Sequence, residues 1–252
     1  MEQSMYSSNS FLFDEELSIY YEVAGEGSLP VVLLHGFGAS HESWYDLMPF
    51  LLEKSVELDA QFFLMDLMGF GHSAKPKNAA YSISQQAQIV QNFIDSHFSV
   101  KVVIGGHSYG GAVALLTSLG YMKQESDRLA GLVLIDAAAF PARLPFFIRL
   151  LRGAISGPLI MSLAPARLRA KLTLKHLLFN DGHVTRERVS RYAKYFVSPG
   201  AAGSFVRAAR NIIPSDGEEH RVVKHCSGSS SIHLSLHFQK RGATWKITQG
   251  RG

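Results

Sequence analysis

Cysteine is almost absent from the sequence. The chain has 252 residues and a single cysteine, Cys226, which cannot form a disulfide within the chain. The sequence therefore excludes a disulfide framework and a zinc site built on several cysteines, and it fits a reducing compartment. With 46% hydrophobic and 18% charged residues, the composition is that of a globular protein rather than of a disordered, collagen-like or coiled-coil chain.

Long uninterrupted hydrophobic runs are also lacking. The most apolar stretch, residues 144–165, contains Arg149 and Arg152, and no run reaches the roughly 18 residues that a membrane-spanning helix needs. Residues 1–10 are polar and carry no basic flank before an apolar run, so no signal peptide is expected. The sequence thus predicts a cytoplasmic protein without a transmembrane segment.

A strong charge of one sign is missing from most of the chain. The net charge is +4, and residues 216–252 alone carry six basic and three acidic side chains. The main body, residues 1–215, is therefore nearly neutral and presents no basic face. No nucleic-acid partner is expected.

The order of apolar segments indicates an α/β fold. Four short apolar runs without alternation are typical of parallel strands buried on both faces, and two alternating segments before them predict an opening β-hairpin. Ser82–Gln85 fits a capping box before one helix, and residues 112–119 predict another. Strands alternating with helices predict a mostly parallel, doubly wound sheet. The four runs are residues 31–34, 61–65, 102–104 and 132–135, and the hairpin segments are residues 11–13 and 17–23.

Changes in composition divide the chain into three segments. Residues 1–140 contain the predicted strands and form the expected core. Residues 141–213 are helical in pattern and rich in Arg and Leu, which predicts an inserted helical cap or lid. Residues 214–252 form an atypical basic tail, rich in Ser and His.

The clearest chemical motif is Gly106-His107-Ser108-Tyr109-Gly110, which matches G-x-S-x-G. It lies between a predicted strand and a predicted helix, where a sharp turn exposes a serine hydroxyl above the sheet. The following helix directs its first N–H groups towards a developing anion. These features predict that Ser108 is a catalytic nucleophile.

A second motif, His35-Gly36-Phe37-Gly38, follows the predicted strand 31–34. Attack on an acyl carbon creates an oxyanion that needs two N–H donors. The backbone N–H groups of Phe37 and Tyr109 are the predicted donors. His35 is predicted to pack the loop rather than to act as a base.

The chain resembles an α/β-hydrolase of the serine esterase or lipase type with a helical cap. The matching residues are His35–Gly38, Asp66–Ser73, Gly106–Gly111 and Leu132–Asp136. The resemblance covers residues 10–140, and residues 141–213 resemble the family's cap. The stretch Asp66–Ser73 is interpreted as a structural turn.

The resemblance implies hydrolysis of a carboxylic ester through an acyl-enzyme on Ser108. A small apolar ester or acyl substrate is expected, and neither a metal nor an organic cofactor is implied. Serine at this position argues against haloalkane dehalogenases and epoxide hydrolases, which resemble the fold but use Asp there.

The family's remaining catalytic groups, an acid and then a histidine, have no obvious counterpart after residue 213. Asp136 follows the strand after the nucleophile helix and is one candidate acid. His220, His225, His233 and His237 are candidate bases, and none is preferred. His183 follows a glycine but is interpreted as a surface turn residue. His233 and His237 lack a carboxylate partner, so no metal site is predicted.

A change of reading frame, alternative splicing or a gene-model error would explain the tail better than a divergent fold does. The last strands are then expected to be missing, although residues 232–238 and 243–247 could pair as a hairpin. Strand 132–135 would become an unpaired apolar edge that favours aggregation. The alternative function is a catalytically inactive or truncated isoform that binds a small molecule or a protein.

Overall fold

A single twisted sheet organises the protein. The structure is a computed structural model that describes residues 6–14, 17–138, 146–177, 181–212 and 233–236. Within them, seven strands lie in the order β1-β2-β4-β3-β5-β6-β7. The strands are β1 (Ser7–Leu12), β2 (Ser18–Ala24), β3 (Leu29–Leu34), β4 (Ala60–Met65), β5 (Val102–His107), β6 (Leu129–Ile135) and β7 (His233–Leu236).

The directions of the strands confirm the predicted fold class. β1 and β2 form the expected antiparallel hairpin, and β2 is also antiparallel to β4. All other neighbours are parallel, from β4 through β3, β5 and β6 to β7. The sheet is therefore the mostly parallel, doubly wound type.

Helices connect the parallel strands and continue after β6. One helix that the sequence analysis did not predict, α1, packs through Met48 with Trp44 on one face of the sheet, while α2 and α3 cover the other face. The helices are α1 (Met48–Leu58), α2 (Ile83–His97), α3 (Tyr109–Lys123), α4 (Phe146–Arg152), α5 (Ser156–Leu163), α6 (Ala166–Leu177), α7 (Arg186–Phe196) and α8 (Ala201–Arg210).

The apolar run of β3 is buried on both faces because successive side chains point to opposite sides of a strand. Val32 and Leu34 belong to the larger hydrophobic cluster, which includes α2 and α3. Leu33 points to the other side and packs with Leu64 in the smaller cluster. This arrangement explains why the strand shows no alternation of polar and apolar residues.

The start of α2 shows how far the capping-box prediction holds. Ser82 is the N-cap, and its hydroxyl accepts a hydrogen bond from the Gln85 N–H at 3.1 Å. The Gln85 side chain accepts from the N–H of Tyr81 at 2.9 Å instead of from that of Ser82. The hydrogen bond to the Gln85 side chain thus comes from the residue before the one that a capping box predicts. Ser82 and Gln85 nevertheless both bind backbone N–H groups at the start of α2.

The five helices after β6 lie within residues 146–212 and are referred to as the helical segment. Ser204 of α8 donates a hydrogen bond to the carbonyl of Gly69 at 2.8 Å, and Asn211 donates to that of Ala80 at 2.6 Å. Phe205 packs against Phe37 with ring centroids 5.8 Å apart. These contacts attach the helical segment to the loops after β3 and β4.

The expectation that strand 132–135 stays unpaired at the edge of the sheet is wrong. β7 lies parallel to β6, with Leu132 opposite His233 and Ile135 opposite Leu236. The alternating apolar residues that suggested a hairpin in the tail are compatible with this pairing, which satisfies backbone groups that an open edge would expose. β7 has four residues and lies within residues 232–238, one of the two segments for which the sequence predicted a possible hairpin. Residues 243–247 lie outside the described part of the chain.

Close backbone packing places the start of α3 against the end of β3. A β-carbon at Gly110 would overlap the carbonyl oxygens of Leu34 and His35, and one at Gly106 would overlap the backbone of Gly110. A β-carbon at Gly111 would lie 2.6 Å from that of Ala137. Larger residues here would have to displace backbone, so glycine fixes the position of this turn.

Asp66, directly after β4, is the centre of a buried polar network. Its carboxylate accepts hydrogen bonds from the backbone N–H groups of His41 and His72 at 2.6 and 2.7 Å, and from His41 Nδ1 at 3.0 Å. His41 Nε2 lies 3.3 Å from Glu22 Oε1 on β2. Asp66 therefore joins the loop after β3 to the turn at residues 66–73, in agreement with the structural role predicted for that stretch.

The network holds His41 in its charged form. Burial lowers the pKa of the His41 imidazole, but hydrogen bonds to Asp66 and Glu22 outweigh this and raise it to about 9. Burial raises the pKa of Asp66, yet the hydrogen bond from His41 keeps that pKa below its ordinary value. The same balance lowers the pKa of Glu22, which also accepts from the Tyr45 hydroxyl. One imidazolium thus lies between two carboxylates.

Replacing Gly110 with Ala is expected to destabilise the fold by about 1–3 kcal/mol, because the added methyl group overlaps backbone carbonyls. Gly120→Ala in the same helix is the matched control, since its new β-carbon would meet only the end of the Gln91 side chain, at 3.2 Å. The control should be neutral or stabilising by up to about 1 kcal/mol. Urea unfolding measures both variants, and equal effects would contradict the packing argument.

His41 is expected to make stability depend on pH in the alkaline range. Because its pKa is raised from 6.5 to about 9, its contribution is fully present below pH 6.5 and is lost as the pH rises through 9. The difference in unfolding free energy between the wild type and His41→Gln should fall by about 3 kcal/mol between pH 6 and pH 10. Urea unfolding across this range tests it, and a difference that is independent of pH would show that His41 is not charged in the fold.

Candidate functional site

Ser108 occupies a strained turn between β5 and α3. Its backbone has φ +50° and ψ −114°, a region that residues other than glycine rarely adopt. Its N–H donates to the carbonyl of Ile135 at 2.9 Å, and its own carbonyl accepts from the N–H groups of Ala112 and Ala138 at 3.2 and 2.9 Å. These bonds from both sides hold the strained backbone, and the side chain is half-buried.

The backbone N–H groups of Phe37 and Tyr109 lie on the two segments that meet at Ser108. A β-carbon on Gly36 would lie 3.5 Å from Cβ of Ser108, so the loop after β3 lies against this turn. Tyr109 is the first residue of α3, where an N–H has no partner within the helix. Neither N–H is hydrogen-bonded to another described residue. Both groups are available to an added acceptor.

Asp136 follows β6 at the same edge of the sheet as Ser108, because Ile135 pairs with His107 across β6 and β5. Its backbone also has a positive φ, +43°, and its side chain is exposed. Burial lowers the pKa of His107, and the negative charge of Asp136 opposes part of that shift. Asp136 therefore lies close enough to His107, the last residue of β5, for its negative charge to act on the His107 imidazole.

His35 has both ring nitrogens occupied by the backbone. Nδ1 donates to the Gly36 carbonyl at 2.8 Å, and Nε2 accepts from the Leu67 N–H at 3.0 Å. Because Nε2 accepts, the ring is neutral, and burial lowers its pKa. His35 packs the loop, as the sequence analysis predicts.

No histidine among the described side chains is hydrogen-bonded to the Ser108 hydroxyl. His183 is exposed in a short 3-10 helix, Asp181–His183. Of the tail candidates, His220, His225 and His237 lie outside the described residues, and only the backbone of His233 is described. The structure thus brings together Ser108, Phe37, Tyr109 and Asp136 and leaves the base unassigned.

An aromatic cluster lies where the helical segment meets the loop after β3. The ring of Phe37 is within 5.5 Å of Phe70, 6.3 Å of Tyr109 and 6.5 Å of Phe147, measured between centroids. Phe205 of α8 completes the cluster. Phe37, Phe70, Tyr109 and Phe205 are buried in the larger hydrophobic cluster, so the surroundings of the two candidate N–H donors are apolar.

Arg169 on α6 is a partly buried cation that the sequence analysis did not single out. Its guanidinium lies 5.1 Å from the ring centroid of Phe196 and donates to Met161 Sδ at 3.2 Å. Its buried Nε has no hydrogen-bond partner among the described residues, and burial lowers its pKa. Such a cation can attract a carboxylate or a phosphate group. The sequence signal for it is the lack of acidic residues over residues 137–180.

Within the described part of the chain, no three His, Cys, Asp or Glu side chains are grouped closely enough to hold a metal ion.

The comparisons with known proteins agree on the fold. A sequence model of the α/β hydrolase fold matches residues 30–157. The chain is also similar in structure to Cfl2 from Burkholderia cenocepacia, with a TM-score of 0.75 and 18% identity over 92% of this chain and 78% of that one. At this identity the likeness shows the fold alone.

Two curated relatives carry different activities in their names. The chain is 28% identical over 203 residues to the dihydrolipoyllysine-residue acetyltransferase component of the acetoin cleaving system of Pseudomonas putida, covering 80% of this chain and 49% of the relative. It is 36% identical over 122 residues to the 2-hydroxy-6-oxo-6-(2'-aminophenyl)hexa-2,4-dienoic acid hydrolase of Metapseudomonas resinovorans, covering 47% of this chain and 38% of the relative.

The chain spans half or less of the length of these relatives, so their activities are not transferred to it directly. The family itself rests on a match to more than half of the chain, together with the parallel sheet and the serine turn at its edge. The chain belongs to the α/β hydrolase fold family.

Proposed function

We propose that this chain is a serine hydrolase that acts on a carboxylic ester, with Ser108 as the nucleophile. The observation that carries the proposal is the strained backbone of Ser108 at the junction of β5 and α3. Strain of this kind costs about 1–3 kcal/mol and persists where the surrounding structure enforces it, often at functional sites. Here it presents the hydroxyl at the carboxyl edge of the sheet, where ligands of open α/β sheets bind.

The reaction proceeds through an acyl-enzyme. Ser108 Oγ attacks the ester carbonyl carbon and gives its proton to a base, and the alcohol leaves with a proton as the C–O bond breaks. Water then attacks the acyl-enzyme, releases the carboxylic acid and restores the Ser108 hydroxyl. An acceptor other than water would convert the same intermediate into an acyl transfer, the class of reaction in the name of the Pseudomonas relative.

The N–H groups of Phe37 and Tyr109 form the oxyanion site in this proposal. Their freedom from other acceptors and their position on two segments beside Ser108 support the assignment. Loss of one donor of this kind typically lowers the rate by about 10²–10³.

Asp136 is the candidate acid, and the base is a histidine yet to be located. The exposed carboxylate of Asp136 at the same edge as Ser108 supports its role. The proposed base is one of His220, His225, His233 and His237, since His35 is fully engaged with the backbone and no other described histidine ring is bonded to Ser108. Single Ala variants of the four tail histidines separate the candidates.

The helical segment serves as the cap and supplies part of the acyl pocket. Phe147 and Phe205 from this segment pack against Phe37 beside the oxyanion donors. An apolar acyl group is therefore the substrate feature that the site fits best.

Ser108→Ala is expected to abolish labelling by a fluorophosphonate probe and the hydrolysis of a short-chain aryl ester, because no other residue supplies the attacking oxygen. Ser126→Ala, which changes a half-buried serine in the turn after α3, is the matched control and should retain both. Mass spectrometry locates the label. Labelling of another serine would overturn the assignment, and a folded chain with neither label nor turnover would favour the alternative, a non-catalytic binding protein.

Asp136→Asn is expected to lower kcat for the aryl ester by at least about tenfold, because an uncharged group no longer stabilises a protonated base. Asp127→Asn is the control, since its exposed ion pair with Lys101 contributes about 1 kcal/mol or less. Steady-state kinetics compares the two variants. Equal kcat values would remove Asp136 from the catalytic site.

A further inference from the structure

Three helices of the helical segment expose large apolar side chains to solvent. Seven such residues, on α4, α5 and α6 and in the turn just before α5, are 37–81% exposed. We refer to them as the outer apolar face. They are Phe146, Leu150, Ile155, Leu159, Leu163, Leu168 and Leu172.

The spacing of these residues makes the face continuous along each helix. Phe146 and Leu150 are four residues apart, as are Leu159 and Leu163, and residues four apart lie on the same side of a helix. The opposite sides are also apolar, because Ile148 and Met161 are buried in the core. α4 and α5 are therefore apolar on two sides, whereas a helix on the surface of a water-soluble domain normally presents polar residues outward.

The stretch of sequence that carries the outer apolar face contains basic residues and no acidic ones. Residues 137–180 contain seven Lys or Arg residues and no Asp or Glu. On α6, exposed Arg167 and Lys171 each precede an exposed leucine, so a basic row runs beside the apolar row Leu168 and Leu172. Long basic side chains in this arrangement place their charges at a polar boundary while their stems cover apolar surface.

The helices are too short to cross a bilayer. No single described helix is long and apolar enough to do so, and α4 and α5 reach the required composition only as a pair bent by 108°. With 7 and 8 residues, each extends about 10–12 Å at 1.5 Å per residue, against about 30 Å for the hydrocarbon core. Their geometry fits an element that lies in the surface of a membrane rather than one that spans it.

We propose that the outer apolar face docks onto a membrane surface that contains anionic phospholipids. The exposed leucines and Phe146 would enter the boundary between headgroups and acyl chains, and Arg167 and Lys171 would contact the phosphates. Because residues 137–180 carry basic but no acidic side chains, they favour contact with an anionic surface. Two copies of this basic segment would repel each other, which argues against a dimer formed through the outer apolar face. The proposal is independent of the chemistry of Ser108.

Sedimentation of the full chain with vesicles tests the proposal. Binding is expected to vesicles of phosphatidylcholine mixed with phosphatidylserine, to exceed binding to phosphatidylcholine alone by several-fold, and to weaken at high salt. Leu159→Glu/Leu163→Glu should reduce binding by at least about tenfold. Arg167→Gln/Lys171→Gln should reduce it several-fold on the mixed vesicles only.

Matched controls change exposed residues elsewhere. Phe50→Glu/Val56→Glu on α1 replaces side chains that are 66% and 90% exposed, and it should leave vesicle binding unchanged. Lys101→Gln/Lys123→Gln serves the same purpose for charge. Circular dichroism verifies that each variant is folded. If the leucine variant unfolded, the Arg167 and Lys171 variant would still decide, since it changes only two exposed side chains.

Three results would overturn the proposal. The first is the absence of binding to the mixed vesicles, and the second is equal binding to vesicles of phosphatidylcholine alone. The third is a dimer in solution that Leu159→Glu/Leu163→Glu converts to a monomer without any vesicle binding, which would assign the face to a second copy of the chain. Ser108→Ala should bind vesicles like the wild type, so failure of the proposed hydrolysis would not affect this outcome.

Discussion

The arrangement of the candidate site depends on the close approach of the α3 backbone to the end of β3. Gly110 permits this approach, because any side chain there would overlap the carbonyls of Leu34 and His35. The approach forces the chain through a sharp turn, and Ser108 takes the strained conformation at its tip. The same contact brings the loop with Phe37 beside the first N–H of the helix, at Tyr109. One steric constraint therefore places the hydroxyl and both N–H groups.

Buried charge then keeps the surrounding loops in place. Asp66 holds the backbone of the loop after β3 through His41 and closes its own turn through His72. A buried carboxylate is costly unless it is fully hydrogen-bonded, and the imidazolium of His41 meets that requirement while also reaching Glu22. The ion network thus joins β2, β4 and the loop that carries Phe37. It holds the loop that carries Phe37 in position beside Ser108.

Local patterns predicted the parts of the fold that local physics determines. Apolar runs located β3, β4, β5 and β6, since strands buried on both faces need such runs, and the G-x-S-x-G motif located Ser108. Contacts between distant residues were not predictable in this way. The pairing of His41 with Glu22 and Asp66 joins three separate segments of the chain. Helix α1 was also not predicted, although Met48 at its start is buried in the smaller hydrophobic cluster. The pairing of β7 with β6 likewise depends on which edge is free, which sequence patterns do not specify.

The helical segment shows why periodicity alone cannot separate an inner from an outer apolar side. Leu151 and Leu163 are both apolar positions on neighbouring helices, yet the first is buried and the second is 72% exposed. What distinguishes this segment is the lack of acid over residues 137–180 within a nearly neutral body. Exposure to water does not require an excess of basic over acidic residues, whereas an anionic surface would attract the basic side chains. Phe147 of α4 packs against Phe37 on the inner side of the helical segment. The helices that would touch lipid therefore also border the proposed acyl pocket. Docking would bring that pocket close to apolar substrates held in the membrane.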